Sequence, residues 1–485
     1  MNMASQITQY EWATIDQTSS GLDWDTIFWQ PVESMVSKLQ SRIAKAMRKG
    51  KTNLAKKLQY LLTNSYYAKL LAVRKVTTNK GKKTPGVDGK IWSTSRAKSK
   101  AALKLTNEGY RAKPLRRIYI DKKPDKKRPL GIPTMYDRAM QALYAQALDP
   151  IAEVEADKVS FGFRKYRSCA DAQEYLFKLL HKDVSAQWVL EADIKGCFDN
   201  ISHEWLQKNI PLEDKILNQF LKSGYEYENQ LFPTDEGTPQ GGIISPILAN
   251  MTLDGLLDLL KRNSWTNTVG TINRRYNEDK VNLVRYADDF VITAKSKSVL
   301  EEIKELLTNF LNERGLELSE RKTKITHISQ GFDFLGWNFR KYSGKLIIKP
   351  SKEAYKSIID EIRNLIKKND TVKQSTLIKI LNPVIRGWCN YHSCACAKES
   401  YQRLDRDIFQ ALWRWSRRRH PNRAKSWIKD RYWESDDTRN WIFAAEDEKL
   451  IFASDTEISR HWLIKFAANP YLKEYEDYYL KRKLS

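Results

Sequence analysis

Two adjacent carboxylates, Asp288 and Asp289, sit between the short apolar runs that begin at Leu283-Val284 and at Phe290-Val291-Ile292. Strand-length apolar segments on both sides of an acidic pair predict a β-hairpin with the acids at its tip. Like charges side by side are costly unless a divalent cation neutralises them. Mg²⁺ suits such a place because it binds one or two carboxylates together with substrate phosphates. The string therefore points to phosphoryl transfer. Aspartate is also an ordinary turn residue, and for the string alone a plain hairpin turn stands as the alternative.

A third carboxylate shifts the balance. Trp188-Val189-Leu190-Glu191-Ala192 reads as an apolar strand that delivers Asp193 at its end, and Ile194-Lys195-Gly196-Cys197-Phe198-Asp199 follows as a turn with an aromatic. In-line displacement with two metal ions needs several convergent carboxylates. Asp193 joins Asp288 and Asp289 if the two segments are neighbouring strands.

The chain is 485 residues long, room for roughly three domains. Lys and Arg outnumber Asp and Glu by 83 to 59, a net charge of +24. Such an excess repels itself unless a polyanion shares it, so nucleic acid is the leading partner class. The positive charge is spread along the chain, which implies a long binding surface. Its 15 Trp and 23 Tyr suit stacking on unpaired bases, although most must serve the core. No apolar run is long enough to cross a bilayer, and no signal-peptide pattern opens the chain. The five cysteines, Cys169, Cys197, Cys389, Cys394 and Cys396, make no disulfide framework in a chain this size, and a reducing cytoplasm is the simplest compartment. His392, Cys394 and Cys396, with Cys389 nearby, lack the spacing of a zinc site and lie in an apolar helical stretch, so core thiols are the favoured reading.

Residues 1–23 are polar and unpatterned, a flexible lead-in. Val32, Met35, Val36, Leu39, Ile43 and Met47 recur at helical spacing, and Gly50 stops that helix. A second, Leu-rich helix is expected to about Leu71. The Gly- and Lys-dense loop from Thr77 to Gly89 offers amides and cations to phosphates, or serves as a solvated linker. A basic strand, Leu115 to Ile120, is followed by a loop from Asp121 to Lys127 and a second strand, Arg128 to Pro133. Ile118 and Ile120 should share one face of the first strand, with Arg117 and Tyr119 on the other. Lys122 and Arg128 flank the loop and could grip a triphosphate, with an ordinary basic surface hairpin as the alternative.

Gly237-Thr238-Pro239-Gln240-Gly241-Gly242 has adjacent glycines that allow close backbone approach to a ligand; turn chemistry alone would explain the Pro and Gly but not Gln240 between them. A helix follows with Ile247, Leu248, Met251 and Leu256 on its apolar side. Another runs from about Ser298 to Arg314 and stops at Gly315. Beyond Pro350, Tyr355, Ile358, Ile359, Ile362, Leu365 and Ile366 share a face, as do Leu377, Ile378, Leu381, Ile385 and Trp388. These predict a helical bundle appended to an α+β core. Trp413 to Arg423 then concentrates cations and indoles.

Taken in order, these segments resemble a reverse transcriptase of the group II intron type over nearly the whole chain. The resemblance rests on Tyr286-Ala287-Asp288-Asp289, the Gly237-to-Pro246 stretch, Ser160-Phe161-Gly162-Phe163-Arg164 and Phe334-Leu335-Gly336. It implies an α+β right-hand polymerase: an N-terminal helical extension (1–92), a fingers and palm core with an antiparallel sheet (93–345), a helical thumb or maturase domain (346–415) and a basic DNA-binding domain (416–485). By the same resemblance Asp193, Asp288 and Asp289 hold two Mg²⁺ ions, with the Ile194 carbonyl a further ligand. Lys122 and Arg128 match contacts to the incoming triphosphate, and Phe198 matches the aromatic that excludes a ribose 2′-hydroxyl. Gln240 matches a residue near the nucleotide, and Lys322 the acid for pyrophosphate. Arg417, Arg418, Arg419, Arg423 and Lys425 fall in the basic nucleic-acid-binding region.

The implied partners are intron RNA, an RNA template with a DNA primer, target DNA and dNTPs, in a bacterial cytoplasm at the nucleoid. Many relatives continue into a nuclease domain with Cys pairs and a His-Asn-His signature. No such Cys pair follows Cys396, so no DNA cleavage by this chain is expected, and integration would borrow a primer from elsewhere, such as a replication fork. Two other readings use the same residues: an intron-like reverse transcriptase domesticated for defence or repair, and an RNA-binding splicing factor with no polymerase activity.

Overall fold

The computed structural model of the chain describes residues 23–484 apart from 124, 125, 268 and 438. The polar lead-in, save for Asp23, lies outside the described residues. The chain divides into two compact units, one of residues 1–155, 198–248 and 471–473, the other of residues 156–197, 249–470 and 474–485.

The first unit opens with three helices, α1 (Trp29–Arg48), α2 (Thr52–Asn64) and α3 (Tyr66–Thr78). Val32, Val36 and Ile43 are buried on α1 as their spacing requires, and Gly50 ends it in the left-handed region at φ +67°. The one Leu-rich helix expected next is two. Thr63 Oγ1 donates back to the Gln59 carbonyl and Asn64 Nδ2 to the Tyr60 carbonyl, after which Ser65 turns extended. Short polar side chains that bond their own backbone in this way favour helix ends over helix interiors.

These helices pack on α4 (Met135–Glu155), whose Ala139, Met140, Leu143, Leu148 and Ile151 are buried. The Gly- and Lys-dense loop is fastened down instead of running free. The buried Arg138 guanidinium donates to the carbonyls of Pro133, Gly81 and Thr84, and a Cβ on Gly86 would come within 2.7 Å of the Thr134 backbone.

The sheet of this unit has the order β2-β1-β4-β5, from β1 (Leu115–Lys123), β2 (Lys126–Ile132), β4 (Tyr225–Tyr227) and β5 (Gln230–Phe232). The β1–β2 strands run well into the segment expected as a loop, with a bulge between Asp121 and Lys123. Backbone pairing continues through charged residues, Asp121 with Lys127 and Lys123 with Lys126, where charge alone suggested a turn. Ile120 does not gain burial from sharing a face with Ile118; it is 49% exposed and its neighbour Tyr119 45%, because β4 pairs with β1 only at Leu115 and Arg116.

The core of the second unit is an antiparallel sheet in the order β6-β7-β3-β8, from β3 (Trp188–Ala192), β6 (Asn282–Tyr286), β7 (Asp289–Ala294) and β8 (Lys324–His327). Val189, Leu190, Leu283, Val284, Phe290, Val291 and Ile292 are all buried. The strands are covered on both faces, which is why they read as near-continuous apolar runs. A helix of Cys169–Leu180, α5, opens on a capping box of Ser168 and Asp171. α6 (Ser245–Leu253) ends before Gly255, at φ +95°, and Leu256–Ser264 forms a separate helix. A helix of Lys297–Asn312 follows the hairpin and the chain turns at Gly315, φ +75°.

The bundle predicted beyond Pro350 is present as α8 (Lys352–Lys368), α9 (Gln374–His392) and α10 (Lys398–Arg419), where α7 denotes Lys297–Asn312. Their two apolar faces meet as one core with Tyr401, Leu404, Ile408, Leu412 and Trp415. Cys389 is buried in that core while Cys396 is exposed, so the thiols scatter between interior and surface. Further along, the Asp171 carboxylate, itself fully buried, accepts from Arg482 Nη2 at 2.6 Å, from the Ile464 amide at 2.9 Å and bonds His461 Nε2 at 3.0 Å.

Candidate active site

Strand register assembles the acidic centre. Residues of β3 pair with β7 from Trp188↔Ala294 to Ala192↔Phe290; continued by one residue, Asp193 stands opposite Asp289. On its other side β3 pairs with β8 from Trp188↔His327 to Glu191↔Lys324; continued by two, Asp193 faces Lys322. The Lys322 ammonium indeed reaches both Asp193 oxygens, at 3.0 and 2.9 Å. Asp288 occupies the two-residue turn between the paired Tyr286 and Asp289. All three acids thus lie at one end of one sheet.

The turn holding Asp288 is strained. Ala287 is left-handed at φ +58°, which costs an L-residue about 1 kcal/mol and is normally left to Gly. Tyr286 is half-buried, and burial together with a hydrogen bond to Cys169 pushes its phenol up. After Asp193, the Ser319 amide donates to the Asp193 carbonyl at 2.8 Å and the Lys195 amide to the Glu317 carbonyl at 2.9 Å. The Ile194 carbonyl takes part in neither bond.

Hard oxygen donors alone suit Mg²⁺, which needs only one or two carboxylates when substrate phosphates complete its shell. The set of Asp193, Asp288, Asp289 and the Ile194 carbonyl fits that chemistry. Among the described residues no three acidic, imidazole or thiolate side chains already stand as a closed cage; the Asp193 charge is met by Lys322.

The other unit carries a cleft of about 410 Å³ bordered by Arg117, Phe198, Asp199, Tyr225, Thr238 and Gln240. Its floor is built by close backbone approach. Gly237, at φ +82°, lies so near that a Cβ would come within 2.5 Å of the Asp199 carbonyl oxygen. The Thr238 amide donates to the Phe198 carbonyl at 2.6 Å, and the Gly131 amide of β2 donates to the Gln240 carbonyl at 2.8 Å. Phe198 is half-buried beside this loop.

Gln240 Nε2 donates to both Asp199 oxygens, at 3.1 and 2.9 Å, which fixes the amide so that its oxygen points away from the acid. Burial pushes the Asp199 carboxyl up; the Gln240 amide and the charges of Arg117 and Arg128 oppose that shift. Sequence reasoning missed Asp199. The signal available was an acid directly after Phe198. Arg128 is exposed on β2. Lys122 lies on β1, and its side chain falls outside the described residues.

The basic residues after the bundle divide into two kinds. Arg417 and Arg418 are exposed on the last turn of α10, and Arg423 and Lys425 are exposed just beyond. Arg419 is folded back, donating to the Asp370 and Val372 carbonyls at 2.8 and 2.9 Å and lying over the Trp415 ring. It serves the bundle first.

Sequence comparison gives this architecture its class. Residues 120–339 match the family of reverse transcriptases (RNA-dependent DNA polymerases), residues 24–105 the N-terminal domain of reverse transcriptase, and residues 355–433 the group II intron maturase-specific domain. The chain is 34% identical over 425 residues to the group II intron-encoded protein LtrA of Lactococcus lactis, covering 70% of each. It is also 34% identical over 298 residues to protein YkfC of Escherichia coli, covering 55% of this chain and 78% of that one. A telomerase structure from Candida albicans overlays at TM-score 0.37 and 12% identity, over 66% of this chain and 60% of that one, a likeness too loose to carry an argument. The α+β fold is that of a reverse transcriptase, and the chain is an RNA-directed DNA polymerase. More particularly, it belongs to the group II intron-encoded reverse transcriptases, in which the polymerase is joined to a maturase domain. Among the described residues no helix is long and apolar enough to cross a membrane.

Proposed function

We propose that Asp193, Asp288 and Asp289, with the Ile194 carbonyl, hold two Mg²⁺ ions and that the chain uses them for target-primed synthesis of cDNA on its own intron RNA. The observation that supports this most is the register that sets Asp193 beside Asp289 in one sheet, with Asp288 in the adjoining turn. Bound there, the ions would stabilise charge on the attacking and leaving oxygens of nucleotidyl transfer.

The residues of the chain supply the rest. Lys122 and Arg128 bind the triphosphate of the incoming dNTP. Phe198 fills the space a ribose 2′-hydroxyl would need. Gln240, its amide fixed by Asp199, lines the nucleotide cleft. Lys322 neutralises Asp193 in the free protein and, during turnover, donates a proton from Nζ to the leaving pyrophosphate.

We read residues 1–92 as the N-terminal extension, 93–345 as fingers and palm, 346–415 as the thumb and maturase domain and 416–485 as the DNA-binding domain. Arg417, Arg418, Arg423 and Lys425 contact the backbone of nucleic acid there, and Arg419 contributes through its hold on the bundle. The partners are the intron RNA, whose splicing the maturase domain promotes, and a DNA target at the bacterial nucleoid.

Asp289→Ala tests the reading. Primer extension on an RNA template should fall to background while gel-shift binding of intron RNA persists. Extension at the wild-type rate would remove the acidic centre from the chemistry.

A further inference from the structure

The Ser160-Phe161-Gly162 segment accounts for something the acids themselves do not explain, the survival of a strained turn beneath them. It runs beside β6 as a short parallel partner. The Arg285 amide donates to the Val159 carbonyl at 3.1 Å, and the Phe161 amide to the Arg285 carbonyl at 2.8 Å. Gly162 then lies flat against the turn. A Cβ on it would stand 2.4 Å from the Ala287 nitrogen and 2.9 Å from the Tyr286 carbonyl carbon, distances that no side chain tolerates.

Gly162 is held there by α6. Asn250 Nδ2 donates to the Gly162 carbonyl at 2.8 Å, and Asn250 Oδ1 accepts from Arg285 Nη1 at 3.3 Å. Asn250 is 7% exposed and Arg285 not at all. The second terminal nitrogen of Arg285, Nη2, is paired with Asp254, whose Oδ1 also accepts the Asp157 amide at 3.1 Å. The bonds close a ring from β6 through Asn250 and Gly162 back to β6, directly under Ala287.

We infer that Asn250 and Gly162 are positioning residues that brace the Tyr286–Asp289 hairpin and so set the aim of the Asp288 and Asp289 carboxylates. The inference rests on the catalytic reading above. A left-handed alanine persists only where its surroundings over-determine it, and the ring supplies that constraint. Asparagine is needed because one small side chain must donate to a carbonyl and accept from a guanidinium at once. Aspartate of the same size can do only the second, and turns an oxygen toward the Gly162 carbonyl.

Asn250→Asp and Gly162→Ala test the brace in the full chain. Hydrogen exchange of the amides of residues 284–290, measured without metal or nucleic acid, should accelerate roughly tenfold in both variants while α8–α10 keep their protection. The Mg²⁺ concentration giving half-maximal primer extension should rise roughly tenfold. Wild-type exchange and Mg²⁺ requirement in both variants would overturn the inference, and so would equal acceleration throughout the unit, which marks general loosening. Asn250→Asp keeps the volume, so it remains informative if Gly162→Ala fails to fold. Asp289→Ala run in parallel separates the two levels. If it still extends primers, the catalytic reading falls and the exchange data alone judge the brace. If it is inactive while Asn250→Asp behaves as wild type, the brace alone falls.

Discussion

Phe198 and Asp199 illustrate how much a single position can settle. The aromatic was legible from its place five residues after Asp193, whereas the acid beside it acquires a role only through Gln240, 41 residues away. Phe198→Val should raise ribonucleotide incorporation at least about tenfold, the scale of removing one apolar contact that separates two substrates. Competition of rNTP against dNTP in primer extension reads it, and unchanged discrimination would remove Phe198 from sugar selection. Asp199→Ala and Gln240→Ala should each raise the KM for dNTP, and the double variant should fall short of their sum by about 1 kcal/mol, because the two side chains act through one hydrogen-bonded pair. Strict additivity would mean the pair is incidental. The Lys322–Asp193 contact was half legible. The lysine could be proposed as an acid from resemblance, but its seat on Asp193 follows from the β3–β8 register, which pairing alone decides.

At the scale of elements, apolar periodicity located the bundle and both strands of the acidic hairpin, because each face is buried against another and the pattern is strict. It failed where polar side chains talk to backbone, at Ser65, and where charged strands stay paired, in β1–β2. His392 shows an element with a consequence in solution. It ends α9 among Trp337, Trp388 and Tyr391, and burial lowers its imidazole to about 4. The unfolded chain protonates this histidine near its ordinary value of about 6.5 while the folded one resists. Stability is therefore full above pH 6.5 and is lost as pH falls from there toward about 4, by up to about 3 kcal/mol. His392→Gln should flatten that slope in denaturant titrations at pH 7 and pH 5. An equal loss in the variant would assign the acid sensitivity elsewhere.

For the whole molecule, charge is the property that sequence reports most directly, and the family match agrees with its implication of a polyanionic partner. What sequence withholds is how each cation is held: Arg419 and Arg138 are folded onto carbonyls of the protein itself, while Arg417, Arg418, Arg423 and Lys425 are exposed, Arg418 with one bond to the Arg414 carbonyl and Arg423 over the Trp427 ring. Replacing those four with Ala should weaken DNA binding and lower the slope of log affinity against log salt by about 3. Filter binding from low to moderate salt checks it, and an unchanged slope would place the DNA on another surface.

The clasp on Asp171 has a bearing on synthesis. A buried carboxylate near residue 171 waits for His461, the Ile464 amide and Arg482, and left alone such a charge costs about 3–5 kcal/mol. Between 290 and 311 residues separate Asp171 from His461 and Arg482. The Ser168 capping box holds one oxygen of Asp171 from the start, and helix α5 gains the partners of the other only after translation has passed residue 482.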